Sequence, residues 1–412
     1  MDRTKTRSQP GIMARLSAIT AQQHNERNCP LLQLVGNDDV RQFFLRAEVL
    51  GVVTLWRLRG VCRAFHRWAQ AELSLLPRVV AIGGSDGIAG TSSVESLNLS
   101  TMRWSDGPMR CVPSLPDPRQ CCHSVSSTKQ GGVLVCGGFT DEGEDKSERG
   151  CLSTAFQWVP RMRAWSALPD LPTARCDAAS VSLPDGRIML IGGWNEVDEA
   201  VASVLALAAD GSGWSELPPL TVPRKGAAAA VLSNGKVLVA GGKDADDEEL
   251  NSAELWDPET QSWTPVPPMK AKRFPAASCV LPSGRVAVLG GVEYRVFYPW
   301  NRLLPRTEEH FNGEVFDPVT REWSPLAKQN RRHQTLSTVA VAGGLVVVSV
   351  GDDDECNELY DEQSGQWFQL PHPMVHARQG AGLAVVSAEA MVVRSRRIRQ
   401  RPIAVAPAVD AH

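Results

Sequence analysis

The sequence predicts an all-β fold in which a unit of four short strands is repeated around a central axis, as in a β-propeller. The prediction comes from glycine pairs, tryptophans and arginines that alternate along the chain at regular distances. Arg224 and Arg273 are 49 positions apart. The same interval of 49 positions separates Gly241 from Gly290. A repeat of about 50 residues that carries four strands has the length of one propeller blade.

These three markers follow one another in a fixed order. A glycine pair ends the second strand of a unit at Gly83-Gly84, Gly137-Gly138, Gly192-Gly193, Gly241-Gly242 and Gly290-Gly291, and a sixth unit keeps Gly351 alone. The fourth strands contain Trp104, Trp165, Trp214, Trp263, Trp323 and Trp367. The first strands that follow open at Arg119, Arg175, Arg224, Arg273, Arg332 (or its neighbour Arg331) and Arg378. A sixfold series of this kind predicts six blades.

The glycines and tryptophans in this series have structural explanations. A glycine pair lets the chain turn sharply near the crowded axis, because glycine adopts positive φ and has no side chain. A tryptophan supplies a large apolar plate where neighbouring sheets pack face to face. We therefore expect both sets of residues to support the fold and not to contact a partner.

The two ends of the repeat series are incomplete in complementary ways. Nothing before Arg78 resembles a first strand, and the last arginine-led strand, 378–386, is followed by no complete unit. An open ring would leave strand edges unpaired. We therefore predict a propeller over 78–387 in which strand 378–386 completes the first blade. Residues 388–393 leave open the alternative of a seventh unit.

Three further segments flank the predicted propeller. Residues 1–30 are polar and aperiodic, which predicts disorder. Residues 31–77 have apolar positions at steps of three and four, which predicts a short helical module. The tail 388–412 carries a cluster of arginines within 394–401 and is predicted to be disordered. A nuclear import signal, or an arm that folds onto acidic loops, are alternatives for this cluster.

Composition limits the classes of function. The 412 residues are 43% hydrophobic and 22% charged, as in globular proteins. A net charge of -3 gives no overall attraction to nucleic acid or to anionic membranes, so we expect neither as a partner. The ten cysteines are scattered and form no CxxC motif, which favours a reducing, cytoplasmic or nuclear compartment.

The repeat resembles the kelch repeat. The resemblance rests on the arginine, glycine-pair and tryptophan series, with Asp-Pro pairs before the last turn at Asp257-Pro258 and Asp317-Pro318, and it covers 78–393. Where kelch repeats usually carry tyrosine, this chain has Trp256 and Phe316, and only Tyr360 matches. The resemblance implies a six-bladed kelch propeller that binds a protein and has no cofactor.

The segment 55–69 resembles the second half of an F-box, although the usual Leu-Pro start of that motif is absent. An F-box followed by a kelch propeller implies a substrate receptor of a cullin-type (SCF) ubiquitin ligase, a protein of the Ubl conjugation pathway. The positions implied to dock a Skp-type adaptor are Leu55, Leu58, Val61, Cys62 and Phe65. In the alternative interpretation the helices only cap the propeller, and the chain is a scaffold without ligase association.

One face of the predicted disc collects the candidate binding residues. Strands alternate in direction within a blade, so the first-strand arginines and the loops after the glycine pairs share an edge. In kelch relatives that capture acidic peptides, such arginines contact the ligand. This implies partner binding by Arg119, Arg175, Arg224, Arg273, Arg332 and Arg378. The long loop 292–312 adds residue types that anchor interfaces, namely Tyr294, Arg295, Tyr298 and Trp300.

The charge of the partner is left open by the sequence. Four loops after the second strands are acidic, at 140–148, 195–199, 244–249 and 352–355. An acidic rim would prefer a basic partner segment, whereas arginines near the centre would prefer an acidic one.

An enzyme is a remote alternative. Copper radical oxidases also use kelch-like propellers, and an oxidase- or epimerase-like activity would need side chains that converge on a metal or a substrate. The chain has three tyrosines, and His372 and His376 are its only histidines with ligand-like spacing. It carries no sequence motif of a catalytic nucleophile or a phosphate-binding loop. We expect no catalytic residue and no metal.

Overall fold

The computed structural model describes residues 47–61, 63–85, 90–105, 112–119, 124–140, 150–160, 162–291, 313–330, 336–341, 344–349, 357–376, 378 and 380–386. The predictions for 1–30, for 31–46, for the loop 292–312 and for the tail 388–412 lie outside these residues. No helix within them is long and apolar enough to cross a membrane.

Two helices precede the first strand. They are α1 (Ala47–Leu58) and α2 (Arg63–Ser74), of 12 residues each. In α2 the apolar residues Phe65, Trp68 and Leu73 recur at helical spacing and are buried. Helices of this length are marginal in isolation, so their stability comes from what the apolar face packs against.

The strands begin directly after α2. The first sheet contains β1 (Arg78–Ile82), β2 (Val94–Asn98) and β3 (Arg103–Ser105). The second contains β4 (Ser124–Ser127) and β5 (Val133–Cys136), and after a separate two-stranded sheet of β6 (Phe139–Thr140) and β7 (Gly150–Cys151) it continues with β8 (Ala155–Val159) and β9 (Ala164–Leu168). The third contains β10 (Ala179–Ser182), β11 (Ile188–Ile191), β12 (Val204–Leu207) and β13 (Trp214–Leu217).

The remaining strands continue the pattern. The fourth sheet contains β14 (Ala228–Val231), β15 (Val237–Ala240), β16 (Ala253–Asp257) and β17 (Ser262–Val266). The fifth contains β18 (Ala276–Val280), β19 (Val286–Gly290), β20 (Glu314–Asp317) and β21 (Glu322–Pro325). The sixth contains β22 (Leu336–Val341), β23 (Gly344–Ser349), β24 (Glu358–Asp361) and β25 (Gln366–Gln369). The last strand is β26 (Gly382–Val386).

The described residues thus form six four-stranded sheets, and every strand pairs antiparallel with its neighbour. The second strands are completely buried in sheets two, three and four. A strand buried on both faces has no solvent side, which explains why β5, β11 and β15 are unbroken apolar runs in the sequence. The β-propeller arrangement is confirmed.

The first and last strands of the series meet in one sheet. β26 pairs antiparallel with β1, from Arg78 opposite Val386 to Ile82 opposite Gly382. The inner strands β26, β4, β10, β14, β18 and β22 contact one another in that cyclic order, and β22 contacts β26. Pairing with β26 therefore leaves no free edge on β1.

A hydrophobic cluster lies between each pair of neighbouring sheets. Leu238 of the fourth sheet and Val286 of the fifth belong to one such cluster, and the other junctions are built alike. The cluster between the sixth and first sheets is different because it also takes in α1 and α2. The two helices therefore cover the junction at which the ring of sheets is closed.

The fourth-strand tryptophans link successive sheets. The indole N–H of Trp214 donates to the carbonyl of Pro169 at 2.8 Å, and that of Trp263 donates to the carbonyl of Pro218 at 3.0 Å. Trp165, Trp323 and Trp367 make equivalent bonds. Trp104 is 6% exposed and packs in the cluster that includes the helices, and its indole nitrogen has no hydrogen-bond partner within the described residues.

Candidate functional site

The candidate site is the face where the first strands start and the second strands end. Arg224 shows how the sequence builds it. Its Nη1 donates to the carbonyl of Gly241 in its own sheet at 3.0 Å, while its own carbonyl accepts from the amide of Gly193 in the preceding sheet at 2.8 Å. One arginine therefore fastens the glycine pairs of two neighbouring sheets.

The other described arginines of the series lie in the same way. Each is buried, with 0 to 3% of the residue exposed, and each donates to the first glycine of a pair. These contacts join Arg119 to Gly137, Arg175 to Gly192, Arg273 to Gly290 and Arg378 to Gly83. The guanidinium groups are thus engaged with backbone carbonyls inside the propeller.

The same contacts explain the glycine pairs. Gly241 has φ +72°, and a Cβ on it would lie 2.8 Å from the carbonyl oxygen of Arg273 in the next sheet. Both its backbone conformation and the close approach of that carbonyl exclude a side chain. The described pairs all have positive φ at both glycines.

Three of the arginines have a buried carboxylate partner. Glu254 in β16 lies 3.1 Å from Arg224, Glu314 in β20 lies 3.0 Å from Arg273, and Glu95 in β2 lies 3.0 Å from Arg378. The glutamates also accept backbone amides from the loop before the arginine, as Glu254 does from Thr221 at 2.9 Å. Burial lowers the pKa of the Arg224 guanidinium, and the Glu254 carboxylate opposes that shift.

These glutamates were not predicted from the sequence, although they leave a signal in the repeat. Glu254 lies two positions before Trp256 and Glu314 lies two positions before Phe316, both third-strand aromatic residues, whereas Glu95 precedes Leu97. Those aromatics pair across the strand with the tryptophans, at ring-centroid distances of 5.4 Å for Trp256–Trp263 and 5.1 Å for Phe316–Trp323. In these two sheets the buried glutamate is therefore found at a fixed spacing of two positions before the aromatic residue of the repeat.

The second and third sheets lack the carboxylate. By strand register, Phe156 and Leu205 occupy the place of Glu254. The Arg119 guanidinium lies 5.3 Å from the Phe156 ring centroid, a cation–π contact. Two prolines, Pro116 and Pro172, stand three residues before the arginines, where the fourth sheet has Thr221. Proline has no N–H to donate. In the second and third sheets, therefore, both the glutamate carboxylate that would accept a hydrogen bond and the backbone amide that would donate it are absent.

These contacts bear on the binding role expected for the arginines. The side chains of Arg119, Arg175, Arg224, Arg273 and Arg378 are buried and hold the loops together, so they offer no accessible surface to a partner. A binding role would require those bonds to break. Arg332 lies outside the described residues, as do Tyr294, Arg295, Tyr298 and Trp300.

Two acidic loops on this face are described, and both are ordered by the same turn. In 195–199 the side chain of Asn195 accepts the amides of Val197 and Glu199 at 3.1 and 3.0 Å. In 244–249 the side chain of Asp244 accepts the amides of Asp246 and Glu248, both at 3.0 Å. The acidic side chains are therefore carried on well-defined turns.

The two loops differ in how their charges are compensated. Asp247 forms ion pairs with Lys225 at 2.8 Å and with Lys243 at 3.0 Å. Hydrogen bonds from Lys225 and Lys243 lower the pKa of Asp247. In the other loop the side chains Glu196, Asp198 and Glu199 are exposed and form no ion pair with a described residue.

An aromatic pair borders the uncompensated loop. Trp194 directly follows a glycine pair, where the fourth sheet has Lys243, and its ring centroid lies 6.1 Å from that of Phe139 in β6. Both residues are partly buried, and the Trp194 indole donates to Asp177 at 3.3 Å. This pair was not predicted from the sequence, because Phe139 and Trp194 are distant in the chain and only the fold brings them together.

The helices bury the side chains that were expected to be exposed for docking an adaptor. Leu55, Leu58 and Phe65 are 0, 3 and 2% exposed, and they pack in the cluster between the sixth and first sheets. Val61 packs partly against the same cluster, and Cys62 lies outside the described residues. In this arrangement the propeller covers the side chains that were expected to dock an adaptor. An adaptor could reach them only after displacement of the helices.

The described residues offer no metal site that an enzyme of the oxidase type would need. They contain no group of three or more histidine, cysteine, aspartate or glutamate side chains placed to hold a metal ion.

Comparisons with known proteins give a family and a fold. The family described as the KLHDC2/KLHL20/DRC7 Kelch-repeats domain matches residues 73–291, which is more than half of the chain. The solved structure of YjhT is similar with a TM-score of 0.55 and 11% sequence identity, over 71% of this chain and 97% of that one. At this identity the similarity shows the fold alone. No curated protein matches the sequence.

Proposed function

Because the chain belongs to the KLHDC2/KLHL20/DRC7 Kelch-repeats family, we propose that it binds a basic segment of a partner protein on its loop face. Kelch-repeat propellers generally serve as protein-binding modules without catalytic activity of their own. The observation that supports a positively charged partner is the turn 195–199, which exposes Glu196, Asp198 and Glu199 without an ion pair to a described residue.

The surroundings of this turn favour a lysine or arginine side chain. Carboxylates on an ordered turn lose little conformational freedom when they bind, and the Phe139–Trp194 pair lies next to them. A cation can pair with the acids and lie over an aromatic ring at the same time. The five buried arginines do not oppose such a ligand at contact range, since their guanidinium groups are already bonded inside the propeller.

The scaffold for this face is a closed ring of six blades. We infer this count from the six four-stranded sheets and from the cyclic contacts of their inner strands. A closed ring holds the loops in fixed relative positions, as recognition by several loops requires.

A titration with charged peptides tests the proposal. Fluorescently labelled lysine- and arginine-rich peptides are compared with aspartate- and glutamate-rich peptides of the same length, using anisotropy and the full chain. We expect the basic peptides to bind more tightly and Glu196→Gln/Asp198→Asn/Glu199→Gln to weaken that binding about tenfold or more, since each close charge pair contributes on the order of 0.5–1 kcal/mol.

The matched control neutralises acids at the opposite edge of the sheets. Asp210 and Glu259 lie in turns between third and fourth strands. Asp210→Asn/Glu259→Gln should leave peptide affinity unchanged. Tighter binding of the acidic peptides, or full affinity in the triple variant, would contradict the proposal.

A substrate receptor of a cullin-type ubiquitin ligase is the second proposal. It is favoured by the resemblance of 55–69 to half of an F-box and by the position of α1 and α2 directly before the propeller. In this role the loop face would hold the substrate and the helices would recruit the adaptor. The burial of Leu58 and Phe65 favours the alternative role, in which the helices cap the propeller of a scaffold protein.

Recovery of a Skp-type adaptor and a cullin with the intact chain distinguishes these two roles. Substitutions at Leu58 or Phe65 would disturb the core, so the informative variant is Arg63→Glu/Arg67→Glu on the exposed side of α2. Recovery of both proteins, reduced in this variant, supports the ligase role. If the intact chain recovers neither the adaptor nor the cullin, the ligase role is contradicted and the scaffold role is supported.

A further inference from the structure

Two cysteine thiols meet at the border of the second and third sheets. Cys151 is the last residue of β7, and Cys176 directly follows the buried Arg175. Their Sγ atoms lie 2.7 Å apart. A disulfide bond requires about 2.05 Å between the sulfurs, so bond formation needs a movement of less than about 1 Å.

The backbone around both thiols is held in place. Cys176 exchanges backbone hydrogen bonds with Trp194, each of 2.9 Å, and its Sγ lies 3.0 Å from the carbonyl of Gly138. Cys151 is in a strand pair with Phe139 and its Sγ lies 3.7 Å from the carbonyl of Trp194. Neither thiol has to leave an ordered segment to reach the other.

We propose that Cys151 and Cys176 are a site of reversible oxidation at which a peroxide joins them in a disulfide. The Cys151 thiolate attacks one peroxide oxygen and the O–O bond breaks, which gives a sulfenic acid, and the hydroxide that leaves takes up the proton lost by the thiol and becomes the first water. The Cys176 thiolate then attacks the sulfenyl sulfur, the S–O bond breaks, and hydroxide leaves as the second water after protonation. Two thiols are oxidised by two electrons and one peroxide is reduced.

The order of these steps follows from accessibility. Cys151 is partly exposed and can meet a dissolved oxidant, whereas Cys176 is 0% exposed and can react only with a neighbouring group. Other described cysteines lack both properties. Cys136 and Cys279 are buried, so neither can meet the oxidant first as Cys151 can, and among the described residues neither lies at a thiol–thiol contact like that of Cys151 and Cys176. Burial raises the pKa of the Cys136 thiol to about 12 and raises that of the Cys279 thiol as well.

The disulfide would fasten the β6–β7 hairpin to the start of the third sheet. That hairpin carries Phe139, and the partner strand segment carries Trp194, so the crosslink lies beside the aromatic pair and the turn 195–199. The inference goes beyond the proposed function and does not depend on it, because the bond is detected chemically without any partner.

Peptide mapping of the oxidised full chain tests the site. Cleavage after arginine and lysine places Cys151 in the peptide 150–161 and Cys176 in the peptide 176–187, with one cysteine in each. The native protein is treated with a few equivalents of hydrogen peroxide, remaining thiols are blocked with N-ethylmaleimide, and the digest is analysed by mass spectrometry. We expect the two peptides joined, with two hydrogens fewer than their sum, and separated again by dithiothreitol.

Variants and a denatured sample are the controls. Cys151→Ser or Cys176→Ser should abolish this linked pair, while Cys136→Ser should keep it. Oxidation in concentrated urea should give mixed pairings among the ten cysteines of the chain. The proposal is overturned if the native wild-type protein yields Cys151 blocked by N-ethylmaleimide or oxidised without a link to Cys176. This result is read on the wild-type chain, so it does not depend on whether a variant folds.

Discussion

The arginine that opens a first strand places a full charge inside the propeller. Arg224 offsets the desolvation with carbonyls of Gly241 and Ser252 and with the carboxylate of Glu254. Arg175 has the carbonyls of Gly192 and Ser203, at 3.3 and 3.4 Å, and no described carboxylate at the third-strand position. The two residues occupy the same place in the repeat and differ in what their removal would leave behind.

Substitution of these two arginines by methionine should therefore have unequal effects on stability. Arg224→Met leaves Glu254 buried without its cation, a loss of about 3–5 kcal/mol. Arg175→Met leaves only carbonyls unsatisfied, a loss of about 1–3 kcal/mol. Urea unfolding of the two variants measures the difference. An equal or larger loss for Arg175→Met would show that the carboxylate does not decide the cost.

The ion pairs of Asp247 predict a small dependence of stability on acid pH. Lys225 and Lys243 lower the pKa of Asp247 below its ordinary value of 3.8, so the folded state binds its proton less readily than the unfolded state. This contribution is present above about pH 4 and is lost as the pH falls through the lowered pKa. The side chain is 62% exposed, which limits the contribution to about 0–1 kcal/mol.

Asp247→Asn should remove that contribution. The variant should be slightly less stable than the wild type at about pH 6, and this difference in stability should shrink as the pH falls through the lowered pKa and the wild-type carboxylate takes up its proton. Thermal unfolding at a series of pH values measures this convergence. Asp246→Asn, next to it and without an ion pair in the described residues, is the control, and a difference that persists at the lowest pH would contradict the assignment.

The positions of the arginines, glycines and tryptophans could be predicted from the sequence because the repeat fixes their spacing. The contacts of the arginine side chains could not be predicted from the sequence. Glu254 is visible in the sequence as a repeated acid, but its pairing with Arg224 depends on how strand three folds back beside the glycine turn. Phe139 and Trp194 are 55 positions apart, and no local pattern connects them.

Among the secondary-structure elements, α1 and α2 pack on the junction between the sixth and first sheets. The apolar face of α2 was visible in its periodicity, which identifies a face to be buried but not the surface that buries it. The structure supplies that surface, since Phe65 packs in one cluster with residues of the sixth and first sheets. Arg59 adds a hydrogen bond of 2.6 Å to the carbonyl of Ser100 in the first sheet.

Truncation of Phe65 measures how much this packing contributes. Phe65→Ala should lower the free energy of unfolding by about 3–5 kcal/mol, because the removed ring leaves a cavity between helix and sheets. Arg67→Ala on the exposed side of the same helix should change it by less than about 0.5 kcal/mol. If Phe65→Ala were as mild as the control, the helices would not be packed on the propeller.

At the scale of the whole molecule, closure depends on a strand that is distant in sequence from its partner. β26 pairs with β1, and Leu383, Ala384 and Val386 are buried there. The missing first strand at one end of the series and the surplus one at the other made this pairing predictable. The loops between the repeats were less predictable, since they carry no periodic signal.

Deletion of the last strand should open the ring. A chain that ends at residue 381 exposes the edge of β1 and loses the three buried side chains, so we expect aggregation or a lower unfolding temperature. A chain that ends at residue 387 keeps β26 and is the matched control. Circular dichroism melts compare the two. Equal unfolding temperatures would mean that β26 does not hold the ring closed.

In the proposed complex, the loop face holds a basic partner segment beside the turn 195–199. The decisive experiment crosslinks the full chain with a lysine- and arginine-rich peptide that carries a photoreactive phenylalanine analogue, and the attachment sites are mapped by mass spectrometry. We predict attachment at Phe139, Trp194 and the residues of the turn, with loss of these crosslinks in Glu196→Gln/Asp198→Asn/Glu199→Gln. Attachment concentrated on α1 and α2 or on the turns at the opposite edge would contradict it.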